Sequence, residues 1–527
     1  MNTQTITSPW APLRNRTFLF IWVATIASNI GTWMHEVGAS WLMMTLTSDP
    51  LMVVLVQSAT ALPIFLFALP AGALSDILDR RRYLLFVQVL MLLFALALAL
   101  ITIMGAVTPW ILLVLTFALA CGTAFSAPAW QAITPELVPN EQLTSAVSLN
   151  SAGINIARAI GPALGGFLVA LYSPVITFFL NALSFLGILI ILYWWKRQPD
   201  TESSRPKEYF FQAIKTGVRY VCASSPLRAI MVKAIAFFLS ASAVWALLPL
   251  ISKQELGLEA DGFGMLVGCI GLGAIFGAYL LPKWRARLST DHLVLAASIN
   301  FAVMTFLLSQ ISNFYLALII MVFIGIGWIT VVSSLNAAVQ HVVPNWVRSR
   351  ALASYLVVFF GCIALGSMVW GGLAKSVSIE TALVVASLLQ VIGVLVMGLI
   401  KLPKFDFTCL ESSEHWPAPI TNVDVDQDQG PVLITIEYHV EKANQSKFKT
   451  IAKQLSSIRK RDGAYRWALF FDTKKPELIV ETFTVPSWLE HLRQHERITK
   501  QDKSVQDRLR ALCKNGLKPE VRHLVAM

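Results

Sequence analysis

Glu36 and Arg158 are charged side chains within stretches of sequence that are otherwise almost entirely apolar. Because a charge inside a lipid bilayer is costly, such residues commonly bind substrates, ions or protons. Asn29 and Trp33 share a helical face with Glu36, and Asn155 shares one with Arg158. A carboxylate in low-dielectric surroundings is suited to carrying a proton. We therefore expect these five residues to line a cavity coupled to protons; the alternatives are a structural ion pair and a hydrated Glu36.

A basic loop follows the second apolar segment and reads Gly72-Ala-Leu-Ser-Asp76-Ile-Leu-Asp79-Arg80-Arg81-Arg82. Asp76 stands at a helix end beside a cluster of arginines. This pattern predicts a gate, formed by Gly72, Asp76, Arg80 and Arg81, that latches two halves of the chain together at one membrane surface. The alternative is a loop whose positive charge only orients the protein in the membrane.

A run of small residues, Gly161-Pro162-Ala-Leu-Gly165-Gly166, lies in the fifth apolar segment. Small residues allow helix backbones to approach closely within a membrane, and Pro162 permits a kink. We expect Gly161, Pro162, Gly165 and Gly166 to form a tight helix contact. Generic packing, common in glycine-rich membrane helices, is the simpler interpretation of the same residues.

His491 and His495 lie one helical turn apart near the C-terminus, a spacing that suits a metal ion. No third ligand stands near this pair in the sequence, so a solvated amphipathic helix is favoured and no metal is expected. The six cysteines are scattered without a Cys-x-x-Cys spacing, which favours reduced thiols. No cofactor is expected either.

Helices that cross a membrane are needed to position these residues, and the composition of the chain predicts such helices. Hydrophobic residues make up 56% of the 527 residues, and charged residues only 14%; soluble domains carry about 25% charged residues. Crossing the hydrocarbon core takes about 20 apolar residues. The chain has twelve apolar segments of about this length: 17–44, 51–75, 83–105, 109–131, 145–172, 174–195, 226–252, 260–282, 290–312, 314–338, 349–374 and 378–401.

Basic residues are distributed unequally between the two faces of this predicted bundle. Nineteen Lys and Arg flank the segments on one face, whereas the other has only Lys253 and Lys375. Cytoplasmic loops carry such an excess, so both termini are predicted to be cytoplasmic. The net charge of +11 thus reflects orientation signals, and no nucleic-acid partner is expected. Lys233, early in the seventh segment, is interpreted as an anchor that snorkels to the surface.

The apolar region divides into two halves of six segments each, residues 1–197 and 226–404. A polar linker, 198–225, joins them and contains a predicted amphipathic helix. The apolar positions of that helix are Phe210, Ile214, Val218 and Val221.

The two halves echo each other, as expected of an internal repeat. Gln131–Pro139 follows the fourth segment, and the similar stretch Asn336–Pro344 follows the tenth. Beyond the second half, a polar linker at 405–430 leads to a soluble domain at 431–527. Its predicted order of strand, helix, two strands, helical stretches and strand is that of a ferredoxin-like α+β domain.

The basic loop resembles the signature loop of the major facilitator superfamily, G-x-x-x-D-[RK]-x-G-[RK]-[RK]. Gly72, Asp76, Arg80 and Arg81 match this pattern, whereas Ile77 and Asp79 depart from it. The run from Gly161 to Gly166 resembles the G-P-x-x-G-G motif that is associated with antiporters in that superfamily. The resemblance implies a twelve-helix transporter that works by alternating access.

A longer stretch, Phe125–Pro139 followed by Ser148-Leu-Asn150, Asn155 and Arg158, is similar to the enterobactin-exporter-like group, also called transmembrane secretion effectors. This resemblance covers residues 10–400, extends to the tail and implies export of a drug-like or siderophore-like molecule. We expect proton exchange to drive this export and a bacterial inner membrane to be its location. The tail resembles small dimeric domains of the antibiotic-biosynthesis-monooxygenase type. We therefore expect the tail to self-associate or to regulate.

Three other functions compete with export. A nucleotide-driven pump needs a Walker A loop, and the sequence has no Gly-Lys dipeptide. A membrane-tethered enzyme would need a catalytic pocket in the tail. Uptake by the same fold remains open, because the sequence does not fix the direction of transport.

Overall fold

The computed structural model describes residues 10–195, 210–344, 347–402, 413, 416, 426, 428–514 and 519–526. Within these residues, twelve helices are long and apolar enough to cross a membrane. The first six are α1 (Arg16–Leu46), α2 (Pro50–Ile77), α3 (Arg80–Ile103), α4 (Pro109–Leu137), α5 (Leu143–Leu171) and α6 (Pro174–Trp194). After the shorter α7 (Phe210–Ala223) come α8 (Ser225–Leu250), α9 (Ala260–Arg285), α10 (Thr290–Ser309), α11 (Phe314–Val342), α12 (Arg348–Ser376) and α13 (Ile379–Leu399). The predicted twelve-helix bundle is confirmed.

Polar residues between the apolar segments begin several of these helices. The Asn15 side chain accepts hydrogen bonds from the first backbone N–H groups of α1, and Asp49 does the same for α2. Asp79 caps α3 by accepting from the N–H of Arg82, 2.9 Å away. Asp79 occupies the loop position where the superfamily signature has glycine, so the turn is completed by a helix cap instead.

The C-terminal domain is an α+β fold, as predicted. Its elements are β1 (Val432–His439), α14 (Gln445–Asp462), β2 (Arg466–Phe471), β3 (Leu478–Val485), α15 (Trp488–Arg497), α16 (Lys500–Arg510) and β4 (Glu520–Val525). The four strands form an antiparallel sheet in the order β2-β3-β1-β4. Alternate residues of β1 face the helices, so Ile434 and Tyr438 are buried with Phe448 of α14 and Phe483 of β3.

This domain belongs to a compact unit made of three stretches: Pro206–Ile230, Asn336–Ser354 and Leu402–Met527. Within the unit, α7 contacts the domain through charged groups. Arg219 donates a hydrogen bond to the carbonyl oxygen of Gly463, at 3.1 Å, and another to the Glu490 carboxylate, at 3.4 Å. The inter-half helix and α15 are thus directly connected.

The buried position of α7 differs from the predicted one. Val218 was expected on the apolar face but is exposed, whereas Tyr220 is only 2% exposed. The Tyr220 ring lies 5.4 Å from the guanidinium carbon of Arg461, in a cation–π contact. The buried face of α7 therefore includes the Tyr220 ring, which contacts the charged Arg461 side chain.

Several predicted features lie outside the described residues. These are most of the two linkers, namely 198–209 and 403–425 except residues 413 and 416, and the side chains of Asp76, Phe210 and Ile214.

Candidate functional site

A cavity of about 290 Å³ lies within the helical bundle. Its lining residues come from α1 to α6 in the first half and from α8, α11 and α12 in the second. Most of the wall is apolar or aromatic. The described polar residues on it are Thr32, His35, Glu36, Gln57, Thr60, Thr116, Thr123, Arg158 and Asn181.

Glu36 and Arg158 both line this cavity, together with Trp33. No ion pair within 4 Å joins Glu36 to Arg158 among the described residues. The Arg158 guanidinium instead lies over the Trp33 ring, 5.7 Å from its centroid. Stacking on the indole face stabilises the cation while leaving its N–H donors available to a ligand. The cavity thus holds both a carboxylate and a guanidinium that are not neutralised by direct contact with each other.

Two residues predicted for the cavity are placed elsewhere. Asn29 and Asn155 are not among the described residues that line it. The Asn155 amide donates to the carbonyl oxygen of Ser151 on its own helix, at 2.9 Å. A helical face spans several turns, and only the turns that meet the other half reach the cavity.

The second half contributes an aromatic wall that the sequence analysis did not identify. Trp245 and Trp328 pack edge to face with ring centroids 5.3 Å apart, and Phe359 lies 5.9 Å from Trp328. All three line the cavity, as does Phe360. Tryptophan in the middle of an apolar segment is the signal that was available, because an indole carries a polar N–H that prefers a partner.

The run of small residues on α5 packs against helices from both halves. A Cβ added at Gly161 would lie 2.6 Å from the Trp33 Cβ, and one added at Gly165 would lie 2.9 Å from the Met34 Cα, both on α1. On the other side, a Cβ at Gly166 would lie 2.6 Å from the Cα of Gly264 on α9. Glycine at these positions therefore allows α5 to fit between α1 and α9.

Pro162 also takes part in this contact through its backbone. A Cβ added at Gly264 would lie 2.8 Å from the Pro162 carbonyl oxygen. The backbones of α5 and α9 consequently touch near the start of α9, the end of the bundle where α1 also ends and α2 begins.

Polar contacts join the halves at this same end, which we call the α1–α2 end. The Lys375 ammonium lies 2.8 Å from the Asp49 carboxylate, and its hydrogen bond holds the pKa of Asp49 below its usual value. Lys253 donates to the carbonyl oxygen of Met44, at 3.0 Å, and lies over the Trp41 ring. These contacts hold helices of the two halves together at the α1–α2 end.

The candidate gate lies where α2 ends and α3 begins. Arg80 forms an ion pair with Glu136 of α4, at 2.6 Å, and Arg81 donates to the carbonyl oxygens of Leu192 and Tyr193 at the end of α6. These described contacts stay within the first half. A Cβ added at Gly72 would meet no atom within 4 Å, so packing in this conformation does not demand glycine there.

The interpretation of Lys233 as a snorkelling anchor is wrong. Its side chain is fully buried and forms an ion pair with Asp291 in the first turn of α10. A buried ammonium needs such a partner because desolvation of an unpaired charge is costly. The carboxylate comes from a neighbouring helix, which the sequence of α8 alone does not reveal.

The expectation that the His491–His495 pair lacks a third ligand is also wrong. His523 of β4 joins them, and one ligand nitrogen of each ring lies within 4.8 Å of the others. Burial, followed by the charges of neighbouring groups including His495, lowers the pKa of His491 to about 3, so its ring is neutral. The three imidazoles belong to the C-terminal domain, and none of them lines the cavity in the bundle.

A family model described as transmembrane secretion effector matches residues 7–527. The staphyloferrin A transporter of Staphylococcus aureus is 25% identical over 344 residues, which are 64% of this chain and 85% of that protein. The multidrug efflux pump Tap of Mycolicibacterium fortuitum is 23% identical over 400 residues, or 74% of this chain and 97% of the relative.

A solved structure has the same fold as the bundle. It is a bacterial homologue of the human lysosomal transporter Spinster, with a TM-score of 0.59 and 15% identity. The similarity covers 74% of this chain and 97% of that protein.

Proposed function

Because the chain belongs to the transmembrane secretion effector family of the major facilitator superfamily, we propose that it exports a small organic molecule in exchange for protons. Two relatives support the class of substrate. One is described as a staphyloferrin A transporter and the other as a multidrug efflux pump. The proposed substrate is therefore a drug-like or siderophore-like molecule, and the proposed mechanism is alternating access.

One observation carries this proposal: the cavity between the halves combines an aromatic wall with Glu36 and Arg158. Ligand pockets typically enclose about 300–1,000 Å³ and combine apolar walls with a few polar groups. The observed volume of about 290 Å³ suits a small organic molecule. Aromatic faces would bind its apolar part, and the two charged groups would bind polar or ionised substituents.

Glu36 is the proposed proton carrier. A charged carboxylate within a membrane costs free energy, and protonation removes that cost. In exchange, a proton arriving at Glu36 would displace a substrate group that the carboxylate binds. The Arg158 guanidinium lines the same cavity and would bind an anionic substituent of the substrate.

Alternation needs one end of the cavity to close while the other opens. We assign the α1–α2 end to the outer surface, since the excess of basic residues predicts cytoplasmic termini. The Asp49–Lys375 pair and the α5–α9 contact then form the outer closure. The loop with Gly72, Asp76, Arg80 and Arg81 would form the inner gate.

The proposed location is a bacterial inner membrane, with the C-terminal domain in the cytoplasm. Self-association through that domain is part of the proposal. The face of its sheet opposite the helices carries exposed apolar side chains, among them Leu433, Phe470 and Leu524. Such a face suits a second copy of the domain.

Transport into inside-out vesicles tests the proposal. Vesicles containing the protein would be given staphyloferrin A or ethidium, with and without an imposed gradient that acidifies the lumen. Export predicts accumulation that requires the gradient and collapses when an ionophore is added. Accumulation only in right-side-out vesicles would indicate uptake, and conversion of the probe without transport would indicate an enzyme; either result would overturn the proposal.

A further inference from the structure

Three histidines of the C-terminal domain converge from two elements. His491 and His495 lie one turn apart on α15, with their Nε2 atoms 3.2 Å from each other. The His523 ring centroid lies 4.7 Å from that of His491. The fold thus assembles a cluster from residues that are distant in sequence.

The secondary structure holds each ring in place. Residues i and i+4 of a helix project from the same face, so α15 presents both of its histidines to the sheet. His523 pairs with Ile434, one of the buried residues of β1, and therefore points to the same side as the core. Trp488 packs against both His491 and His523, with centroids 5.5 and 5.9 Å away.

His491 is the most buried of the three rings, and one of its two nitrogens is unsatisfied. Its side chain is only 1% exposed, and Nδ1 has no hydrogen-bond partner of normal geometry among the described residues. Neighbouring Gln494 is also 1% exposed, and neither of its amide atoms has such a partner. An unsatisfied buried polar group is costly and needs a reason.

We propose that His491, His495 and His523 bind one divalent transition-metal ion such as zinc. Imidazole suits zinc, copper, nickel and cobalt, whereas magnesium and calcium prefer oxygen ligands. Zinc bound to nitrogen at about 2.0–2.1 Å in a tetrahedron separates its ligand atoms by roughly 3.4 Å. The 3.2 Å distance between the first two nitrogens already fits, and His523 needs only a small shift.

A metal at this position also accounts for Gln494. A ligating histidine usually donates its other N–H to an oxygen that fixes the ring. Gln494 interacts with His491 and can accept from its Nδ1. The nearby positive charge of Arg459 does not oppose binding strongly, because the Glu481 carboxylate pairs with it at 3.2 Å.

Metal binding at this site would also affect α7, the helix between the two halves in the sequence. α15 carries Glu490 directly before His491, and Glu490 pairs with Arg219 of α7. Ligation at two positions of α15 would restrain the helix and with it this contact. Through this contact, metal binding would change the restraint on α7, which belongs to the linker between the halves.

The test uses the full-length chain in detergent, purified without a histidine tag and stripped with a chelator. Zinc binding is measured by calorimetry and metal content, and cobalt binding by its visible absorption bands. One ion per chain is expected, with the intense cobalt bands of tetrahedral coordination. His523→Gln and His495→Gln should each weaken binding by at least about tenfold, since even loss of an outer-shell partner costs 10–100-fold.

His439→Gln is the matched control, because this histidine is exposed at the end of β1, outside the cluster. It should bind zinc like the unaltered chain. An unchanged size-exclusion profile shows that each variant is folded, and the two ligand variants are independent of each other. Absence of stoichiometric zinc binding, or equal binding by all three variants, would overturn the proposal.

Discussion

Gly166 and Gly264 bring the backbones of the two halves into direct contact. A Cβ added to Gly166 would lie 2.6 Å from the Gly264 Cα, and a Cβ added to Gly264 would lie 2.7 Å from the Gly166 Cα. Real Cβ atoms essentially never show such distances, so α5 and α9 approach this closely only because both residues are glycine. Substitutions at this contact between α5 and α9 can therefore test whether the α1–α2 end must close during transport.

Gly166→Ala should disfavour closure of the α1–α2 end and slow transport. Overpacking typically costs about 1–3 kcal/mol, which shifts a two-state equilibrium by roughly 5–150-fold. Transport of a probe substrate at equal membrane abundance measures the effect. Gly187→Ala on α6 is the control, because a Cβ there would meet no atom within 4 Å. Equal rates for both variants would show that this contact does not open during the cycle.

The Asp49–Lys375 pair should contribute much less to closure. Its side chains are 30% and 52% exposed, and exposed ion pairs contribute only about 0.2–1 kcal/mol. Asp49→Asn, which keeps the side-chain oxygen that caps α2, and Lys375→Gln should each slow transport slightly, and more at low salt than at high salt. The double variant should be no slower than either single variant, because both remove the same ion pair. A severe defect in one single variant alone would mean that this residue has a role outside the pair.

Apolar length and strand alternation made most of the fold predictable. The first segment, predicted at 17–44, is α1 from Arg16 to Leu46, and the four strands of the tail appear in the predicted order. Local features decide these elements. Departures arise where partners come from elsewhere, as for Lys233, whose burial depends on Asp291 of another helix.

The candidate site was predictable only in part. Charge in an apolar segment pointed to Glu36 and Arg158, which the structure brings to one cavity. Helical periodicity could not tell which turns of a face reach it, so Asn155 was misplaced. His523 was missed because its approach to α15 is a tertiary contact, although β-strand alternation already put it on the same side as Val521 and Val525.

Asp502 should stabilise the C-terminal domain at neutral pH. Burial alone would raise its pKa, but its ion pair with Arg461, at 2.7 Å, and hydrogen bonds from Thr499 outweigh that effect and lower the pKa. A lowered folded-state pKa gives stability that is present above the unfolded value of about 3.9 and is lost as the pH falls through the folded value. Asp502→Asn should therefore destabilise the domain at pH 7, by about 1.5–3 kcal/mol, because Arg461 keeps its second ion pair, with Asp462.

Hydrogen-exchange protection of β1 in the full-length chain measures this difference, after correction for the intrinsic rates. The gap between Asp502→Asn and the unaltered chain should shrink as the pH is lowered below 4. Asp507→Asn is the control, because Asp507 is exposed on the same helix. A gap that does not change with pH would show that hydrogen bonding, and not charge, stabilises this site.

Glu36 is predicted to carry the coupling proton. Glu36→Gln keeps the shape and polarity of the side chain but cannot lose a proton, so gradient-driven export should fall to the level of protein-free vesicles. Substrate binding, measured by quenching of tryptophan fluorescence, should be weakened, because the variant mimics the protonated carboxylate that releases the substrate. It should not be lost, because Trp33 and Trp328 still line the cavity. Glu259→Gln, at an exposed position before α9, should leave both properties unchanged.

A double variant separates coupling from a structural pairing of Glu36 with Arg158. If Glu36 only balances the charge of Arg158, each single change to Gln leaves one charge uncompensated in the bundle, and changing both should restore transport. If Glu36 binds the proton, Arg158→Gln cannot rescue Glu36→Gln, because the exchangeable site is still missing. Arg158 lies over Trp33 and not against Glu36, which favours the second outcome. Full gradient-dependent export by Glu36→Gln alone would end the proposal and move attention to Asp76.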